Sequence, residues 1–260
     1  MMSKKIQTMA FENGLIYLYN KGSKHVNIEI SVQELRSHSK IDAVIVIDDD
    51  SIIDAKWVEV AKNLLERYDM VWGFGVCEER GFIAGFVNID LNVMVALLDR
   101  EYWLQSGVYA FRVDAFLDVG GFGKSGLKAL SEDHALLIRF TKKKRTIDIN
   151  SALQHRVLCN QGFKNWFKQK IRWMGEILLI SRFNIFLFIV SIPLIITSPL
   201  LMWKASKITL ISFPKKSIFS APITFIIYSI TLLLAYNRII RGKGFYWKDQ
   251  IFYYNLQKRK

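Results

Sequence analysis

Cysteine and proline are scarce in this chain of 260 residues, which contains two Cys and four Pro. The two cysteines, Cys77 and Cys159, are too few and too far apart for a disulfide framework, and we expect a reducing compartment. Four prolines and 15 glycines exclude collagen-like and low-complexity sequence. The 18 Phe, 10 Tyr and 7 Trp provide more apolar surface than a disordered chain contains. The composition therefore predicts a folded core.

Acidic residues are scarce in only one part of the chain. Residues 1–140 contain 15 Lys+Arg and 20 Asp+Glu, whereas residues 141–260 contain 21 basic and 3 acidic residues. The net charge is therefore −5 in the first part and +18 in the second. An evenly spread excess of basic residues would indicate nucleic-acid binding. The uneven distribution instead predicts two regions with different partners, a membrane for the basic region and no nucleic acid.

Charged residues are absent from two long apolar runs, Phe183–Trp203 and Ser217–Asn237. Roughly 20 apolar residues in a helix match a hydrocarbon core of about 30 Å. We therefore expect two transmembrane helices; two buried helices of a soluble core, or a re-entrant hairpin, are the alternatives. Basic residues outside the two runs outnumber the four lysines between them. This asymmetry predicts a multi-pass membrane protein with the part before the first run and the C-terminal tail both in the cytoplasm.

The segment before the first run, Gln161–Leu179, has helical periodicity. Its apolar residues recur at spacings of three and four and are Phe163, Trp166, Phe167, Ile171, Met174 and Leu178. Its basic residues recur at four on another face and are Lys164, Lys168 and Arg172. The pattern predicts an amphipathic helix on the membrane surface. Periodicity alone fits a helix packed on the domain equally well.

Strands alternate with helices in the part of the chain before this segment. The β-branched run Ala43–Ile47 predicts a buried parallel strand. Other expected strands are Leu15–Tyr19, Met70–Val76 and Gly107–Arg112. Expected helices are Val26–Ser37, Ala55–Tyr68, Asn88–Tyr102 and Glu132–Lys143. The alternation predicts an α/β domain with a mainly parallel sheet.

Three carboxylates, Asp48, Asp49 and Asp50, follow the β-branched run. Open α/β sheets bind ligands at the carboxyl ends of their strands. In an extended chain Asp48 and Asp50 point the same way, so both could hold one divalent metal that neutralises a diphosphate. A surface turn or a helix N-cap explains the same three residues equally well.

Further motifs follow these carboxylates in a fixed order. They are Gly107–Arg112, Val119–Phe122, Ser131–His134 and Gln169–Trp173, and the D-x-D itself is preceded by Lys21–Lys24 with Asn27. Together they resemble the family 2 glycosyltransferases, the membrane-bound group of cellulose, chitin and hyaluronan synthases, over about residues 15–240. In that family D-x-D, (E)D and Q-x-x-R-W precede membrane spans in this order. The resemblance implies a GT-A-like α/β fold with a mainly parallel sheet, an interfacial helix and two transmembrane helices.

The same resemblance implies a metal-dependent, inverting hexosyltransferase of class EC 2.4. The donor would be a nucleotide-diphosphate sugar, most simply a UDP-sugar, and the acceptor a glycan or lipid-linked hydroxyl. Asp48 and Asp50 would hold Mg²⁺ or Mn²⁺ against the diphosphate, with Asp133 as the general base. The implied substrate-binding residues are Asp48, Glu132, Gln169, Arg172, Trp173 and Lys24. Among them Glu132 would orient Asp133, Gln169 and Arg172 would bind the diphosphate, and Trp173 would stack on the acceptor sugar.

The expected organisation is a GT-A-like catalytic domain at 1–160, an interfacial helix at 161–182, a transmembrane hairpin at 183–237 and a basic cytoplasmic tail at 238–260. Only the short segment Met1–Asn20 precedes Lys21. It is too short for the strand, nucleotide-contacting Asp and βα unit with which the family's domain opens, and only Glu12 could replace that Asp. We therefore expect an N-terminally shortened domain.

Two other functions fit parts of the pattern. A non-catalytic relative would bind a sugar or a partner protein without a complete donor pocket. A two-metal phosphodiesterase would explain the carboxylates but leaves Gln169, Arg172 and Trp173 without a role. Taken singly, Asp133 also fits a first-turn helix carboxylate, Arg172 a snorkelling side chain and Trp173 an interfacial anchor.

Overall fold

A computed structural model of the protein describes residues 24–38, 41–77, 107–122, 132–158, 162–180, 200, 203, 207, 215–247 and 250–252. The helices in these ranges are α1 (Lys24–His38), α2 (Ala55–Leu65), α3 (Val113–Asp118), α4 (Glu132–Lys142), α5 (Phe163–Ile180) and α6 (Lys215–Ile240). The strands are β1 (Ala43–Ile47), β2 (Ser51–Ile52), β3 (Met70–Trp72), β4 (Gly75–Val76), β5 (Val108–Arg112), β6 (Ile147–Ile149), β7 (His155–Val157), β8 (Phe245–Trp247) and β9 (Gln250–Phe252).

The main sheet has the strand order β1-β5-β3-β6. Strand β5 pairs antiparallel with both β1 and β3, and β3 pairs parallel with β6. Three of the four strands thus run in one direction, and β5 runs against them. The expected α/β class is confirmed, although the antiparallel strand lies inside the sheet.

The expectation that Ala43–Ile47 forms a buried parallel strand is wrong. In the described part of the chain β1 is at the edge of the main sheet, its partner is antiparallel, and Val46 is its one buried residue. The partner β5 begins much later in the chain, at Val108. A run of β-branched residues favours strand structure. It does not determine whether a strand so distant in sequence pairs with it in parallel or antiparallel fashion.

Helices cover both faces of the main sheet, and the alternation of side chains along β5 shows this. Tyr109 and Phe111 face one core, which also contains Val32 of α1 and three residues of α4, namely Leu136, Leu137 and Phe140. Val108 and Ala110 face the other core, which contains Trp57, Ala61 and Leu65 of α2. Successive strand residues point to opposite faces, so β5 contributes to both cores.

Local sequence explains why α2 begins where it does. The side chain of Asp54 accepts a hydrogen bond of 2.8 Å from the backbone N–H of Trp57, a donor that otherwise has no partner within the helix. The indole N–H of Trp57 donates to the carbonyl oxygen of Leu153 at 3.1 Å. This bond ties α2 to the segment before β7, which lies in a second sheet of order β2-β7-β4.

Most helices predicted for the α/β part are confirmed with small changes at their ends. The helix expected at Val26–Ser37 is α1, that at Ala55–Tyr68 is α2, and that at Glu132–Lys143 is α4. The expected strand Leu15–Tyr19 and the expected helix Asn88–Tyr102 lie outside the described residues.

One cysteine differs from its expected state. Cys77 follows β4, is only 2% exposed and is disulfide-bonded. This bond does not fit the reduced thiols that we expect in a reducing compartment. The other cysteine of the sequence, Cys159, lies outside the described residues.

The basic part of the chain is dominated by α5 and α6, which pack against each other, and α5 also packs against β8. Within the described residues, one helix segment, Pro222–Ile240, is long and apolar enough to cross a membrane. It overlaps the second predicted span, Ser217–Asn237. The first predicted span lies outside the described residues except for Leu200 and Trp203, which are helical. The antiparallel hairpin β8–β9 falls in the region predicted as a tail, and its Phe245 is buried.

Candidate functional site

Three separate parts of the sequence meet at one ammonium group. Lys24 is the first residue of α1, and its Nζ forms ion pairs with the carboxylates of both Asp48 and Glu132. Asp48 directly follows β1, and Glu132 begins α4. The structure therefore brings together the predicted D-x-D and the predicted (E)D motif, with the predicted Lys24 between them.

The position of Asp48 depends on a close backbone approach at Gly107. The Asp48 N–H donates to the Gly107 carbonyl oxygen at 2.7 Å, which continues the β1–β5 ladder by one residue. A Cβ on Gly107 would lie 2.4 Å from Oγ of Ser51 and 3.3 Å from Oδ2 of Asp48. Glycine thus lets β5 begin directly against the site. Sequence reasoning quoted Gly107 within a motif but gave it no role.

Asp48 and Asp50 do not lie in an extended segment, so the geometric reason given for their common direction is wrong. The Ser51 N–H donates to the Asp48 carbonyl oxygen at 3.0 Å and closes a turn. Asp50 is exposed in this turn, where its carbonyl oxygen accepts from the N–H of Leu158 at 2.7 Å. The turn was the stated alternative for the acidic run, and it places the two aspartates on a tight bend.

Carboxylates outnumber cations in this group, and the pKa values reflect it. Burial raises the pKa of Asp48, as do Asp133 and Asp49, while Lys24 opposes the rise. Burial and Asp133 likewise raise the pKa of Glu132, again against Lys24. Burial lowers the pKa of Lys24, but the charges of Glu132 and Asp48 outweigh it and raise this pKa above its ordinary value. The site therefore has an excess of negative charge that a further cation would relieve.

Asp133 lies in the first turn of α4 with Glu132. Its Oδ1 accepts a hydrogen bond of 2.9 Å from the N–H of His134. The positive end of the helix dipole stabilises a carboxylate here. The structural role that was the alternative for Asp133 is thus present, and its assignment as the base stays a prediction.

Tyr109 is a residue of this site that sequence reasoning missed. It lies in β5 two residues beyond Gly107 and is 1% exposed. Burial raises the pKa of its phenol well above the ordinary value, and Glu132, Asp133 and Asp48 add to this. The available signal was one hydroxyl-bearing side chain within an otherwise apolar strand segment, Val108–Phe111.

The predicted Gln169, Arg172 and Trp173 lie on α5, whose main packing partners are α6 and β8. Lys170, which is 1% exposed, places its Nζ 3.2 Å from the centroid of the Trp173 ring and 5.7 Å from that of Trp166. One face of Trp173 is thus covered, so a sugar would stack on the opposite face. The roles of these three residues stay predictions.

The described ranges contain no group of three or more His, Cys, Asp or Glu side chains placed to hold a metal ion. Mg²⁺ commonly uses only one or two carboxylates and completes its shell with water and substrate phosphates. Asp48 belongs to the group with excess negative charge and fits that donor set, whereas Asp50 lies in the exposed turn and stays a predicted ligand.

Two comparisons with known proteins bear on this site. The sequence model of the glycosyl transferase family group 2 matches residues 43–237. The matched range contains the acidic run, α4 and α5, and Lys24 lies before it. No curated protein matches the chain in a sequence search.

Proposed function

Because the chain belongs to the glycosyl transferase family group 2, we propose that it is a membrane-anchored, inverting glycosyltransferase. Glycosyl transfer from a nucleotide-sugar donor to an acceptor follows from the family itself. The finer proposal is transfer of a hexose or N-acetylhexosamine from a nucleotide-diphosphate sugar, most simply a UDP-sugar. The acceptor is a hydroxyl of a glycan or of a lipid-linked molecule.

One observation carries this proposal, the ion pairs of Lys24 with Asp48 and Glu132. A donor diphosphate and an acceptor hydroxyl must lie next to each other for transfer. Asp48 is the carboxylate proposed for the donor side, and the first turn of α4, which contains Glu132, is proposed for the acceptor side. The side chain of Lys24 pairs with both carboxylates. This proximity supports one reaction site formed by both motifs.

In the proposed reaction Asp133 accepts the proton of the acceptor hydroxyl. The hydroxyl oxygen then bonds to the anomeric carbon, and the bond from that carbon to the diphosphate oxygen breaks. The nucleoside diphosphate leaves with the electron pair. A single base without a covalent partner gives one displacement and inversion at the anomeric carbon. Glu132, held by Lys24, orients the first turn of α4.

Asp48 and Asp50 are the residues we propose for Mg²⁺ or Mn²⁺. When bound, the metal would act as a Lewis acid for the departing diphosphate. We propose that Lys24 contributes a second positive charge to the same phosphate oxygens, a role supported by its ion pair with Asp48. Gln169, Arg172 and Trp173 remain the proposed contacts for the diphosphate and the acceptor sugar.

Membrane attachment is proposed from α6 and the basic residues near its ends. The exposed apolar side chains of Pro222–Ile240 suit a helix inserted in a membrane, and the basic residues after it outnumber the lysines at the start of α6. The basic flanks favour a cytoplasmic catalytic domain. The disulfide of Cys77 favours the opposite side, because disulfides persist in oxidising compartments. Protease protection of the catalytic domain in intact cells decides between the two orientations.

Asp133→Asn tests the proposed base, with nucleotide-sugar turnover measured in the presence of Mn²⁺. We expect turnover to fall by about 10²–10⁴-fold, the usual contribution of a general base. Asp114→Asn is the matched control, because Asp114 also lies in a first helical turn and accepts from the next N–H at 2.8 Å. The control should retain full turnover.

Equal turnover in Asp133→Asn and the wild type would refute the base assignment. Absence of turnover and of nucleotide binding in the wild type would favour the non-catalytic relative, which binds a sugar or partner without chemistry.

A further inference from the structure

Tyr109 lies on β5, between the two strands that flank β5 in the main sheet. It lies opposite Val46 of β1 and opposite Trp72 of β3. Its ring stacks on that of Phe111, with the centroids 6.2 Å apart. These neighbours enclose the ring in apolar surroundings, in the core shared with α4.

The hydroxyl of Tyr109 is buried and has no hydrogen-bond partner among the described residues. A phenylalanine would fill the same space without bringing a polar group into the core. Buried polar groups are almost always hydrogen-bonded, so an exception in a folded protein requires a reason. A partner that becomes available only in another state of the site is such a reason.

The nearby acceptors are the carboxylates of the site. Asp48 lies two residues beyond Val46 in the continued β1–β5 ladder, on the same side of the sheet, which makes it the diagonal neighbour of Tyr109. Diagonal neighbours are within reach of an aromatic side chain. Leu136 and Leu137 of α4 pack in the same core as Tyr109, and the first turn of that helix contains Glu132.

Lys24 pairs with Glu132 in the described state, but it also pairs with Asp48, the residue proposed for the donor diphosphate. The Glu132 side chain is 15% exposed and that of Lys24 is 40% exposed. If the ammonium turns towards a diphosphate, the more buried carboxylate loses its partner. A buried carboxylate without a partner is costly, so a second donor is needed at that moment.

We propose that Tyr109 is this second donor, a positioning residue whose hydroxyl donates a hydrogen bond to Glu132 when Lys24 engages the donor diphosphate. No proton is transferred in this exchange; one hydrogen bond replaces one ion pair. The inference rests on the proposed donor site, and it explains how Lys24 can serve two anions in turn. The first turn of α4 therefore keeps its position when the Lys24 ammonium moves from Glu132 to the diphosphate.

Tyr109→Phe removes only the hydroxyl and therefore tests the proposal. The dissociation constant for UDP with Mn²⁺ should rise about tenfold or more, as expected for a lost hydrogen bond to a charged group. The donor KM should rise in parallel while kcat stays within about twofold, since the bond forms on binding and persists in the transition state. The melting temperature without ligand should stay the same or rise, because an unpaired buried hydroxyl is lost.

Two comparisons separate this role from a structural one. Tyr228→Phe removes another buried phenol, on α6, and should leave the dissociation constant unchanged. In a Glu132→Gln background Tyr109→Phe should have little further effect, because the charged acceptor is gone. An unchanged dissociation constant in Tyr109→Phe, or a lower melting temperature without ligand, overturns the proposal. If the wild type binds none of UDP, GDP, CDP and dTDP with Mn²⁺, the proposed donor site itself fails.

Discussion

In the α/β part of the protein, α2 buries Trp57, Ala61 and Leu65 against the sheet. Helix α6 packs against α5, yet it leaves seven large apolar residues exposed along its length: Ile223, Ile226, Ile230, Leu233, Leu234, Tyr236 and Ile240. Most of these recur at spacings of three or four and so form one face. A helix in water places polar residues on its outer face, as α2 largely does. The difference indicates that the two parts of the chain are adapted to different surroundings.

The distribution of charged residues also differs between the α/β part and α6. The α/β part holds Asp48, Glu132 and Lys24 together at the edge of its core, where burial and the charge of Asp133 raise the pKa of both acids. Pro222–Ile240 contains a single charged residue, Arg238, near its C-terminal end. A protein keeps poorly compensated charge in its interior where chemistry uses it. The comparison fits the proposal that one part carries out the chemistry and the other anchors the protein.

Gly73→Ala should break the packing of the α/β part and give the largest effect. A Cβ on Gly73 would lie 1.7 Å from the carbonyl oxygen of Leu153, and backbone atoms cannot move aside as a side chain does. We expect a loss of more than about 3 kcal/mol in the free energy of unfolding, above the usual cost of overpacking. Urea unfolding followed by tryptophan fluorescence measures it.

Gly162→Ala is the control, since a Cβ there meets no atom within 4 Å. A stable Gly73→Ala variant would show that the contact between β3 and the segment before β7 is looser than described.

Ile230→Lys and Val58→Lys test the two environments directly. Ile230 of α6 is 45% exposed and Val58 of α2 is 42% exposed, so solvent exposure alone predicts equal effects. If α6 faces lipid, lysine near its centre should cost about 3 kcal/mol of insertion free energy. The Val58 variant should change the stability by less than about 0.5 kcal/mol.

The fraction of protein that resists alkaline extraction from membranes measures the difference. Full membrane retention of Ile230→Lys would mean that the exposed face of α6 contacts water, and the anchoring role would then be lost.

His155 should make the stability of the α/β part sensitive to acid. Burial lowers the pKa of this imidazole from 6.5 to about 4. The unfolded chain therefore binds a proton between these values that the folded chain excludes, so stability falls as the pH decreases below 6.5. Linkage gives a loss of about 2 kcal/mol on going from pH 7 to pH 5, at about 1.4 kcal/mol per unit of pKa.

His155→Leu should remove that part of the pH dependence while keeping the site apolar. Chemical unfolding at several pH values checks it, and the same slope in the variant and the wild type would contradict the buried neutral imidazole.

Strong local patterns predicted α1, α2, α4 and α5 within a few residues at each end. Their apolar spacing, and in α2 the cap at Asp54, are properties of short sequence segments. The direction of β1 relative to β5 was not predictable in this way, because it depends on hydrogen bonds with a strand far along the chain. The turn at Asp48–Ser51 was one of the stated alternatives, since its closing hydrogen bond joins residues three apart, but the close approach of Gly107 to Asp48 depends on distant sequence.

The members of the candidate site were predictable from the sequence, but the contacts between them were not. Residue type and order in the sequence identified Lys24, Asp48 and Glu132 as members of one site, because each belongs to a motif that the family resemblance made visible. Only the tertiary structure decided that one ammonium joins both carboxylates and that the Tyr109 phenol is buried in the core shared with α4. Ion pairing and burial are set by which segments meet in space, and the spacing of such distant positions along the chain carries no such information.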